Sequence, residues 1–486
     1  MKILFASAEV APFAKVGGLA DVAGSLPLAL AELGHDVRVI MPKYLSVTTG
    51  AEQGKWPLWR AVPGVPVPLA GCTSGCALDE SRLPGSEVPI YFVEHHDYFS
   101  RPGVYGPPGG AYPDNLERLT FFCRATLAVL PPLGWTPDVI HLNDWHTSLL
   151  AVYLRSGVAA PPGGAPATVY TIHNLGPAYQ GTFSRAMLPV TGLQAAFPCT
   201  GEFLVGDQLN LAAAGLACSD MISAVSPTYA REIADPAFSG DLAPLVRRRG
   251  QDVQGILNGI DYEAWNPATD SALSASFSAQ DPAGKAQCKA ALQQEAGLAV
   301  RADLPLVGLV TRLDEQKGLD LVAEALEMLP EMQLVILGTG APDLEKLFAA
   351  AAEEYEHIAV WLKFSDPLAR RIYAGSDLFL MPSRYEPCGL GQMIAMRYGT
   401  LPVVRATGGL ADSVTEQPTR TQKQNGFVFA GYSVDEMLAA LQRAARAFAD
   451  LKRWPALVQS ALTTDFTWTR SAGEYVQLYE SALKKL

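Results

Sequence analysis

The chain has 486 residues, too many for one ordinary hydrophobic core, and this length favours two large domains or three small ones. Apolar residues make up 49% and charged residues 18% of the sequence, which is typical of a globular protein. The 49 acidic and 37 basic residues give a net charge of −12, which argues against a nucleic acid or an anionic membrane as partner because either would require a basic face. No run approaches ~18 uninterrupted apolar residues, so we expect no membrane span and interpret the protein as soluble and cytoplasmic.

The seven cysteines are scattered and odd in number, so they predict no disulfide framework. Cys72 and Cys76 form the only close pair, and neither a second pair nor a histidine stands near them in sequence, as a zinc site would require. We therefore predict free thiols in a surface loop at this position.

The first half of the chain alternates short apolar runs with helical periodicity. The run at residues 2–10 predicts a buried first strand rather than a signal peptide, and a glycine turn and a helix over residues 19–33 follow. Together with the next apolar run they form a strand–helix–strand unit, which requires a parallel sheet. The Pro- and Gly-rich sequence between about 50 and 115 predicts long loops. Further strands are predicted at residues 35–42, 88–94, 137–144, 167–174 and 219–227.

The second half repeats this alternation after a polar connection over roughly residues 250–285. Helical patterns at residues 317–329, 342–355 and 433–449 predict helices packed on a parallel sheet. The two halves therefore predict two doubly wound α/β domains joined by a linker. Strands are predicted at residues 304–313, 332–340, 357–364, 377–383 and 400–406.

Polar and charged residues follow several of these strands directly. Ligands of open parallel sheets bind at the carboxyl ends of the strands, so such positions are candidate functional sites. The candidates are Lys15, Asp144, His173, Arg312 and Glu386.

The stretch KVGGLADV, residues 15–22, places two glycines between the first strand and the first helix. Glycine allows close approach of a ligand to the backbone, the helix start presents free N–H groups, and Lys15 adds a positive charge, so the pattern suits a phosphate. Alternatively, Gly17 and Gly18 only form a tight turn and Lys15 is solvated. The dinucleotide fingerprint GxGxxG is absent.

The stretch VTRLDEQKG, residues 310–318, places Arg312 and Lys317 around a strand-to-helix turn. Two fixed cations at one strand end can bracket a diphosphate and stabilise a leaving group that gains negative charge. The alternative is a pair of surface cations before a helix.

The stretch SRYEPCGLGQ, residues 383–392, places Glu386 between a strand and a helix. Pro387 predicts a helix start, so the N–H groups of Cys388, Gly389 and Leu390 would form another anion-binding turn. Glu386 beside it can bind sugar hydroxyls or stabilise a developing positive charge, or it can merely cap the helix.

The stretches HLNDWHTS and TIHN place Asp144, His146, His173 and Asn174 after two apolar strands. Backbone carbonyls can equally satisfy such strand-end histidines. A metal site is disfavoured, because His141 and His146 lack the spacing of one helix face.

Seven motifs occur in order along nearly the whole chain: KVGGLAD, PDVIHLNDWH, YTIHN, ILNGID, RLDEQKG, PSRYEPCGL and TGGLAD. In this combination the sequence resembles the bacterial glycogen synthase and plant starch synthase family. The resemblance implies a GT-B fold, with two facing Rossmann-like domains, doubly wound on parallel sheets, and a deep cleft between them. We expect an N-terminal domain at 1–254, a nucleotide-binding domain at 255–465, and a terminal helix at 466–486 that crosses back to the N-terminal domain.

The resemblance also implies retaining transfer of glucose from ADP-glucose to the non-reducing end of an α-1,4-glucan such as glycogen or a malto-oligosaccharide. No cofactor and no metal is expected, because cationic side chains do that work in the family. The implied catalytic residues are Glu386, His173, Arg312, Lys317 and Asp144. The implied donor- and glucose-binding residues are Lys15, Gly17, Gly18, Asp21, Asn174, Asn258, Phe364, Cys388, Gly389, Leu390, Thr407 and Gly408.

Five positions depart from the family pattern. Many retaining GT-B enzymes carry a second glutamate eight residues after the first, where this chain has Ile394, so a mechanism with two glutamates is not supported. Val16 replaces a frequent serine or threonine, Asn143 a frequent histidine, and Lys363 a glycine before Phe364, which stands where the family has a tyrosine near the adenine.

Three other functions remain open from the residues. A GT-B enzyme that uses UDP-glucose or another acceptor fits the same motifs. An NAD-dependent dehydrogenase would also have Rossmann-like halves, but the missing fingerprint and ribose-binding acid count against it. A non-catalytic starch-binding protein would not need Lys15, Arg312, Lys317 and Glu386 together at strand ends.

Overall fold

The computed structural model describes residues 1–107, 110–157, 164–193, 200–329 and 331–486, so that Cys199 lies outside the described part. The chain forms two compact units: unit 1 comprises Met1–Gly259 and Trp468–Leu486, and unit 2 comprises Ile260–Thr467. These limits differ by a few residues from the expected boundaries at 254/255 and 465/466. Among the described residues, no helix has the length and apolar character needed to cross a membrane.

Unit 1 is built on a nine-stranded sheet, as far as the chain is described, with the order β12-β11-β7-β6-β1-β2-β5-β4-β3. The strands from β12 to β5 are parallel, and β4 and β3 extend the sheet as an antiparallel hairpin. The strands β8, β10 and β9 form a small separate sheet. The strands are β1 (Lys2–Ala6), β2 (Asp36–Pro42), β3 (Trp59–Leu69), β4 (Cys72–Arg82), β5 (Pro89–Glu94), β6 (Val139–Asn143), β7 (Ala167–Ile172), β8 (Thr182–Ser184), β9 (Leu204–Val205), β10 (Gln208–Asn210), β11 (Met221–Ala224) and β12 (Val253–Gly255).

The first helix buries the apolar residues whose spacing predicted it. Its buried residues include Leu19, Val22, Ala23, Leu26 and Leu30, which recur at the spacing of one helix face. The helix ends where Gly34 adopts a positive φ of 87°. The α-helices of unit 1 before its terminal segment are α1 (Gly18–Glu32), α2 (Leu45–Glu52), α3 (His96–Phe99), α4 (Asn115–Ala128), α5 (Leu130–Leu133), α6 (Leu149–Arg155), α7 (Leu211–Cys218), α8 (Pro227–Glu232), α9 (Pro236–Ser239) and α10 (Ala243–Arg249).

The prediction of long loops between about 50 and 115 is wrong for the β3–β4 hairpin. β3 pairs with β4 over most of its length, and Val62 and Val67 of β3 are buried, as are Cys76 and Leu78 of β4. The prolines of β3 hid this pattern, but an end strand tolerates proline because its outer N–H groups need no partner. Cys72 and Cys76 are free thiols as predicted, but their placement in a surface loop is wrong for the same reason: both lie in strand β4, and Cys76 is buried.

Unit 2 has a parallel sheet with six strands in its described part, in the order β15-β14-β13-β16-β17-β18. The strands are β13 (Leu306–Val310), β14 (Gln333–Leu337), β15 (Ile358–Trp361), β16 (Leu378–Met381), β17 (Leu401–Arg405) and β18 (Phe427–Phe429). The helices are α11 (Gly284–Glu295), α12 (Leu319–Ala325), α13 (Pro342–Glu354), α14 (Asp366–Gly375), α15 (Gly391–Arg397), α16 (Gly408–Ser413), α17 (Val434–Ala449) and α18 (Arg453–Thr463). The alternation predicted for the second half is thereby confirmed.

The polar connection predicted near 250–285 is not a free linker. Trp265 packs edge-on against Tyr373 and Tyr398, and the Arg370 guanidinium lies over the Trp265 ring. Phe277 is buried as well. From Ile260 onward this segment therefore belongs to the core of unit 2.

The last helix, α19 (Trp468–Leu483), belongs to unit 1. Tyr475 and Tyr479 are fully buried, and the Tyr479 hydroxyl lies 2.7 Å from Nδ1 of His141 in strand β6. The end of the chain thus packs against the central strands of the first sheet.

Candidate functional site

The glycine turn between β1 and α1 is organised by a buried carboxylate that the sequence did not single out. Oε2 of Glu9 accepts hydrogen bonds from the N–H groups of Val16, at 2.6 Å, and Gly17, at 2.9 Å. The hydroxyl of Tyr105 donates to the other carboxylate oxygen. The protein's own anion thus occupies the N–H groups of residues 16 and 17, and binding of a phosphate at the helix start, which begins at Gly18, stays a prediction.

The predicted donor-binding residues of this turn are exposed. Nζ of Lys15 lies 2.6 Å from Oδ1 of Asp21 on the first turn of α1, and 49% of the Lys15 side chain is accessible. A Cβ atom added at Gly17 would meet no atom within 4 Å. Lys15, Gly17, Gly18 and Asp21 thus lie together at the carboxyl end of β1, where a ligand can approach.

Asp144 follows β6 and holds the turn that follows β7. It is the one non-glycine residue of the described chain with a positive φ, 53°, and its Oδ1 accepts the backbone N–H of His173 at 2.8 Å. The pKa of the Asp144 carboxyl is raised to about 7, chiefly by burial and in addition by the nearby Glu9 charge, and the backbone N–H groups of His173 and Asn174 oppose this shift. Backbone strain of this kind clusters at functional sites.

The ring of His173 is held from the neighbouring strand. Its Nε2 lies 2.9 Å from Oδ1 of Asn143, which is fully buried at the end of β6. Burial lowers the pKa of His173 to about 3, so the ring is neutral near pH 7. His146, stacked on Tyr105, is likewise kept neutral, since burial lowers its pKa to about 3.

The two predicted asparagines of unit 1 differ in their bonding. Oδ1 of Asn174 accepts the N–H of Gly176 at 2.9 Å and shapes the turn after His173. Asn258 is buried, and its Oδ1 has no hydrogen-bond partner among the described residues. A buried acceptor without a partner is costly in a folded protein, so this oxygen is a candidate ligand contact.

In unit 2 the predicted cations lie at the carboxyl end of β13. A 3₁₀ turn at Glu315–Lys317 is capped by Asp314, whose side chain accepts the N–H of Lys317 at 3.1 Å and also lies 3.3 Å from the Arg312 guanidinium. Nζ of Lys317 lies 2.6 Å from Oε2 of Glu386, and Ser383 donates to the same oxygen at 3.0 Å. The structure therefore brings Lys317 and Glu386 into direct contact.

A cavity of about 210 Å³ lies at the carboxyl ends of β13 and β16. Its wall contains five predicted site residues: Arg312, Lys317, Glu386, Gly389 and Leu390. Two cations and one carboxylate thus share a pocket in the place where ligands of open α/β sheets bind. No group of three or more His, Cys, Asp or Glu side chains in the described chain has the arrangement of a metal site.

The loop that carries Glu386 is not the start of a helix. α15 begins at Gly391, four residues after Pro387, so the prediction of a helix start at Pro387 is wrong. Gly389 has a φ of 73° and gives the loop its sharp turn. The side chain of Cys388 is buried.

The second GGLAD turn, residues 408–412, packs directly on this loop. A Cβ atom at Gly408 would overlap the carbonyl oxygen of Glu386, and one at Gly409 would overlap that of Cys388. The N–H of Gly409 donates to the Glu386 carbonyl at 3.1 Å. These glycines allow two backbone segments to touch, and donor binding by Thr407 and Gly408 stays a prediction.

A buried amide joins the same two segments. Nε2 of Gln392 lies 3.1 Å from the Cys388 carbonyl, 2.9 Å from the Gly389 carbonyl and 3.0 Å from Oγ of Ser413. The Ser413 hydroxyl donates in turn to the Gly409 carbonyl at 2.6 Å. The loop with Glu386 and the second GGLAD turn thus form one rigid assembly.

Phe364 is the predicted site residue with the greatest exposure. Its side chain is 91% accessible, and it follows β15 at the carboxyl edge of the same sheet. It does not line the cavity that contains Glu386. An aromatic ring left this exposed is available to stack on a flat ligand such as a nucleobase.

Sequence reasoning gave no functional role to Glu9, Asn143, Gln392 and Ser413. Glu9 stands within a predicted strand, and a carboxylate in an apolar run is the signal that could have identified it. Gln392 and Ser413 are ordinary helix residues in the sequence, and only their contacts reveal the role of each.

Two family models match the chain. The model of the starch synthase catalytic domain matches residues 2–248, and the model of glycosyl transferases group 1 matches residues 293–451. With the two Rossmann-like units, these matches define the class: the protein is a glycosyltransferase with the GT-B fold.

Similar proteins and solved structures identify one family within this class. The glycogen synthase of Syntrophotalea carbinolica is 48% identical over 100% of this chain and 99% of its own length, and that of Anaeromyxobacter dehalogenans is 49% identical over 99% of each. The catalytic domain of starch synthase IV from Arabidopsis thaliana, solved with ADP and acarbose, has a TM-score of 0.87, 35% identity and 99% coverage of both chains. A sucrose-phosphate synthase at 19% identity and a TM-score of 0.61 shares the fold only. The chain belongs to the starch and glycogen synthase family.

Proposed function

We propose that the protein transfers glucose from ADP-glucose to the non-reducing end of an α-1,4-glucan, with retention at the anomeric carbon and release of ADP. Glycogen synthases that align with the whole chain support this activity, and so does the ADP in the related solved structure. The observation that carries the proposal is the 2.6 Å contact between Lys317 and Glu386 in a pocket that also contains Arg312.

In this proposal Arg312 and Lys317 bind the diphosphate of the donor. Negative charge grows on the diphosphate as the glycosidic bond breaks, and fixed cations in a preorganised site stabilise that charge. Lys317 exchanges its partner Glu386 for phosphate oxygens, which frees the Glu386 carboxylate for the glucosyl group. No metal is required, because the two side chains supply the positive charge.

We propose front-face attack for the transfer itself. The bond between the anomeric carbon and the diphosphate oxygen breaks while the 4-hydroxyl oxygen of the acceptor bonds to the same face of that carbon. The hydroxyl proton passes to the leaving phosphate oxygen, and Glu386 stabilises the positive charge that develops on the sugar. A mechanism with two carboxylates would need the second one at position 394, eight residues after Glu386. This chain has Ile394 there, buried in α15, so such a mechanism is not supported.

Unit 1 supplies the remaining proposed contacts. Lys15, Gly17, Gly18 and Asp21 contribute to binding of the donor. Asp144, His173, Asn174 and Asn258 contact the glucosyl group, and the unpartnered Oδ1 of Asn258 supports its assignment. In unit 2 the exposed ring of Phe364 stacks on the adenine, and Cys388, Gly389, Leu390, Thr407 and Gly408 complete the set of donor contacts.

The test measures release of ADP from ADP-glucose and of UDP from UDP-glucose. Glycogen is the acceptor, and EDTA is present. ADP release that depends on glycogen is expected, whereas UDP release alone would overturn the assignment of the donor. Activity that EDTA abolishes and Mg²⁺ restores would contradict the role given to Arg312 and Lys317.

Glu386→Ala tests the carboxylate. The kcat should fall on the order of 100-fold or more, because an interaction specific to the transition state is lost, while ADP still binds. Asp303→Ala, which removes an exposed carboxylate paired with Arg301, is the matched control. A kcat near that of the control would show that Glu386 has another role.

A further inference from the structure

Neighbouring side chains of β6 and β7 form two successive hydrogen bonds across the sheet. Nε2 of His141 lies 2.6 Å from Oγ1 of Thr171, and two residues further along each strand Oδ1 of Asn143 lies 2.9 Å from Nε2 of His173. In the strand register His141 stands opposite Val169 and Asn143 opposite Thr171, so each bond reaches two residues forward on the neighbouring strand. The second bond ends on the ring of a proposed substrate-binding residue.

The amide orientation of Asn143 is determined by its other contact. Nδ2 lies 3.0 Å from the backbone carbonyl oxygen of Ala6, and that oxygen can only accept a hydrogen bond. In the opposite orientation two oxygens would face each other in a fully buried position. Oδ1 therefore points to His173, and because Oδ1 is an acceptor as well, Nε2 of His173 must carry a proton.

We propose that Asn143 is a positioning residue that fixes His173 in the tautomer protonated on Nε2. The inference rests on the proposed function for its consequence in catalysis, but the tautomer itself is a property of the protein without substrate. Nδ1 of His173 then keeps its lone pair, and it has no hydrogen-bond partner among the described residues. The neutral ring thus presents an acceptor, and not a donor, to a sugar hydroxyl.

Asn143 and Asp144 bind different parts of His173. Asp144 binds the backbone N–H of His173, and Asn143 binds its ring. Two consecutive residues at the end of one strand thereby fix both the main chain and the side chain at the end of the next. A wrong tautomer at a catalytic histidine is costly even where the geometry of the site is unchanged.

The first bond of the pair provides a matched control. His141 lies between Thr171 and the hydroxyl of Tyr479, and both partners can donate or accept, so no contact determines its tautomer. Thr171→Val removes the hydroxyl that lies 2.6 Å from Nε2 of His141 and 2.6 Å from Oγ of Ser223, and it leaves both partners of the Asn143–His173 bond in place. It therefore reports the effect of losing buried cross-strand hydrogen bonds other than the one between Asn143 and His173.

The first experiment is ¹⁵N spectroscopy of the imidazole nitrogens in the full chain without substrate at pH 7. The His173 signals are identified by their loss in His173→Gln. We expect a protonated Nε2 and an unprotonated Nδ1 for His173. A proton on Nδ1, or an equal mixture of both forms, would overturn the proposal without any variant of Asn143.

Variants of Asn143 and Thr171 then test whether Asn143 determines the tautomer of His173. Asn143→Leu should give a mixture of tautomers and lower kcat/KM about tenfold or more, the value of one hydrogen bond to substrate. Asn143→Asp, which keeps an acceptor oxygen, should retain the Nε2-protonated form, and so should Thr171→Val. An unchanged tautomer in a folded Asn143→Leu protein would contradict the role of Asn143.

The outcomes separate the two proposals. If the wild-type protein releases neither ADP nor UDP, the proposed function fails, while the spectrum still decides the tautomer. If glucose transfer is observed and His173 carries its proton on Nδ1, the function stands and the role of Asn143 is wrong.

Discussion

The two GGLAD turns have the same five letters and different physical roles. In the first, residues 17–21, Gly17 faces open space and Glu9 accepts the backbone N–H groups of Val16 and Gly17. In the second, residues 408–412, the glycines are buried against the carbonyls of Glu386 and Cys388. The first turn leaves room for a ligand, whereas the second leaves room for another part of the same chain. An identical motif therefore does not imply an identical function.

The strongest test of this difference is the pair Gly408→Ala and Gly17→Ala. At Gly408 the added methyl group must displace the Glu386 backbone, and φ is 44°, so we expect a loss of about 1–3 kcal/mol in the free energy of unfolding. A shift of Glu386 by about 1 Å should lower kcat on the order of 100-fold.

At Gly17 the methyl group has space and φ is −139°. Its effect on the free energy of unfolding should stay within about 0.5–1 kcal/mol, with any loss confined to the KM for the donor. Chemical denaturation and steady-state kinetics measure both effects. Equal destabilisation by the two substitutions would show that the glycines have the same role.

Glu9→Ala tests the internal anion of the first turn. The change leaves the N–H groups of Val16 and Gly17 and the buried Tyr105 hydroxyl without their acceptor. We expect about 2–4 kcal/mol of lost stability and a KM for ADP-glucose raised about tenfold. Glu9→Gln, which keeps one acceptor oxygen, is the matched control and should lose about 1 kcal/mol. A Glu9→Ala protein as stable as the control would mean that the turn forms without the carboxylate.

The cation of the first turn is tested by Lys15→Gln together with Ala406→Lys. Lys15→Gln should raise the KM for the donor about tenfold, which is the value of a charge-assisted hydrogen bond. Ala406 occupies the position equivalent to Lys15, and it is exposed. A lysine there should change KM by less than about twofold, because Arg312 and Lys317 already supply charge in unit 2. A defect of Lys15→Gln limited to the glucan acceptor would exclude its role at the phosphate.

The smallest expected effect concerns the amide bridge behind the second turn. Ser413→Ala removes the hydrogen bonds to Gln392 and to the Gly409 carbonyl, so we expect about 1–2 kcal/mol of lost stability and a kcat lowered a few-fold. Ser481→Ala, on an exposed part of α19, is the control and should change the unfolding free energy by less than about 0.5 kcal/mol. A kcat equal to that of the control would show that the bridge does not position Glu386.

Much of the fold could be predicted because apolar runs and helical periodicity report burial directly. The strands that end at Ala6, Asn143 and Ile172 follow that rule, so the residues after them could be identified as site candidates. The β3–β4 hairpin could not, since its prolines and glycines are typical of loops and its pairing depends on the neighbouring β5.

The candidate site was predictable as a set of residues and not as a set of bonds. Lys317 and Glu386 stand 69 positions apart, and nothing in their local sequence indicates a shared ion pair. Likewise the glycines of residues 408 and 409 have the letters of a ligand-binding turn, but the chain itself fills the space around them. Tertiary contacts decide such cases, and they are invisible to local patterns.

The prolines of β3 also have a consequence for the behaviour of the protein in a crowded solution. β3 is the terminal strand on its side of the described sheet, and Pro63, Pro66 and Pro68 have no N–H group to offer to an added strand. A second molecule that aligned with this edge would find an interrupted row of donors. The feature that obscured the hairpin in the sequence thus also disfavours edge-to-edge pairing between molecules.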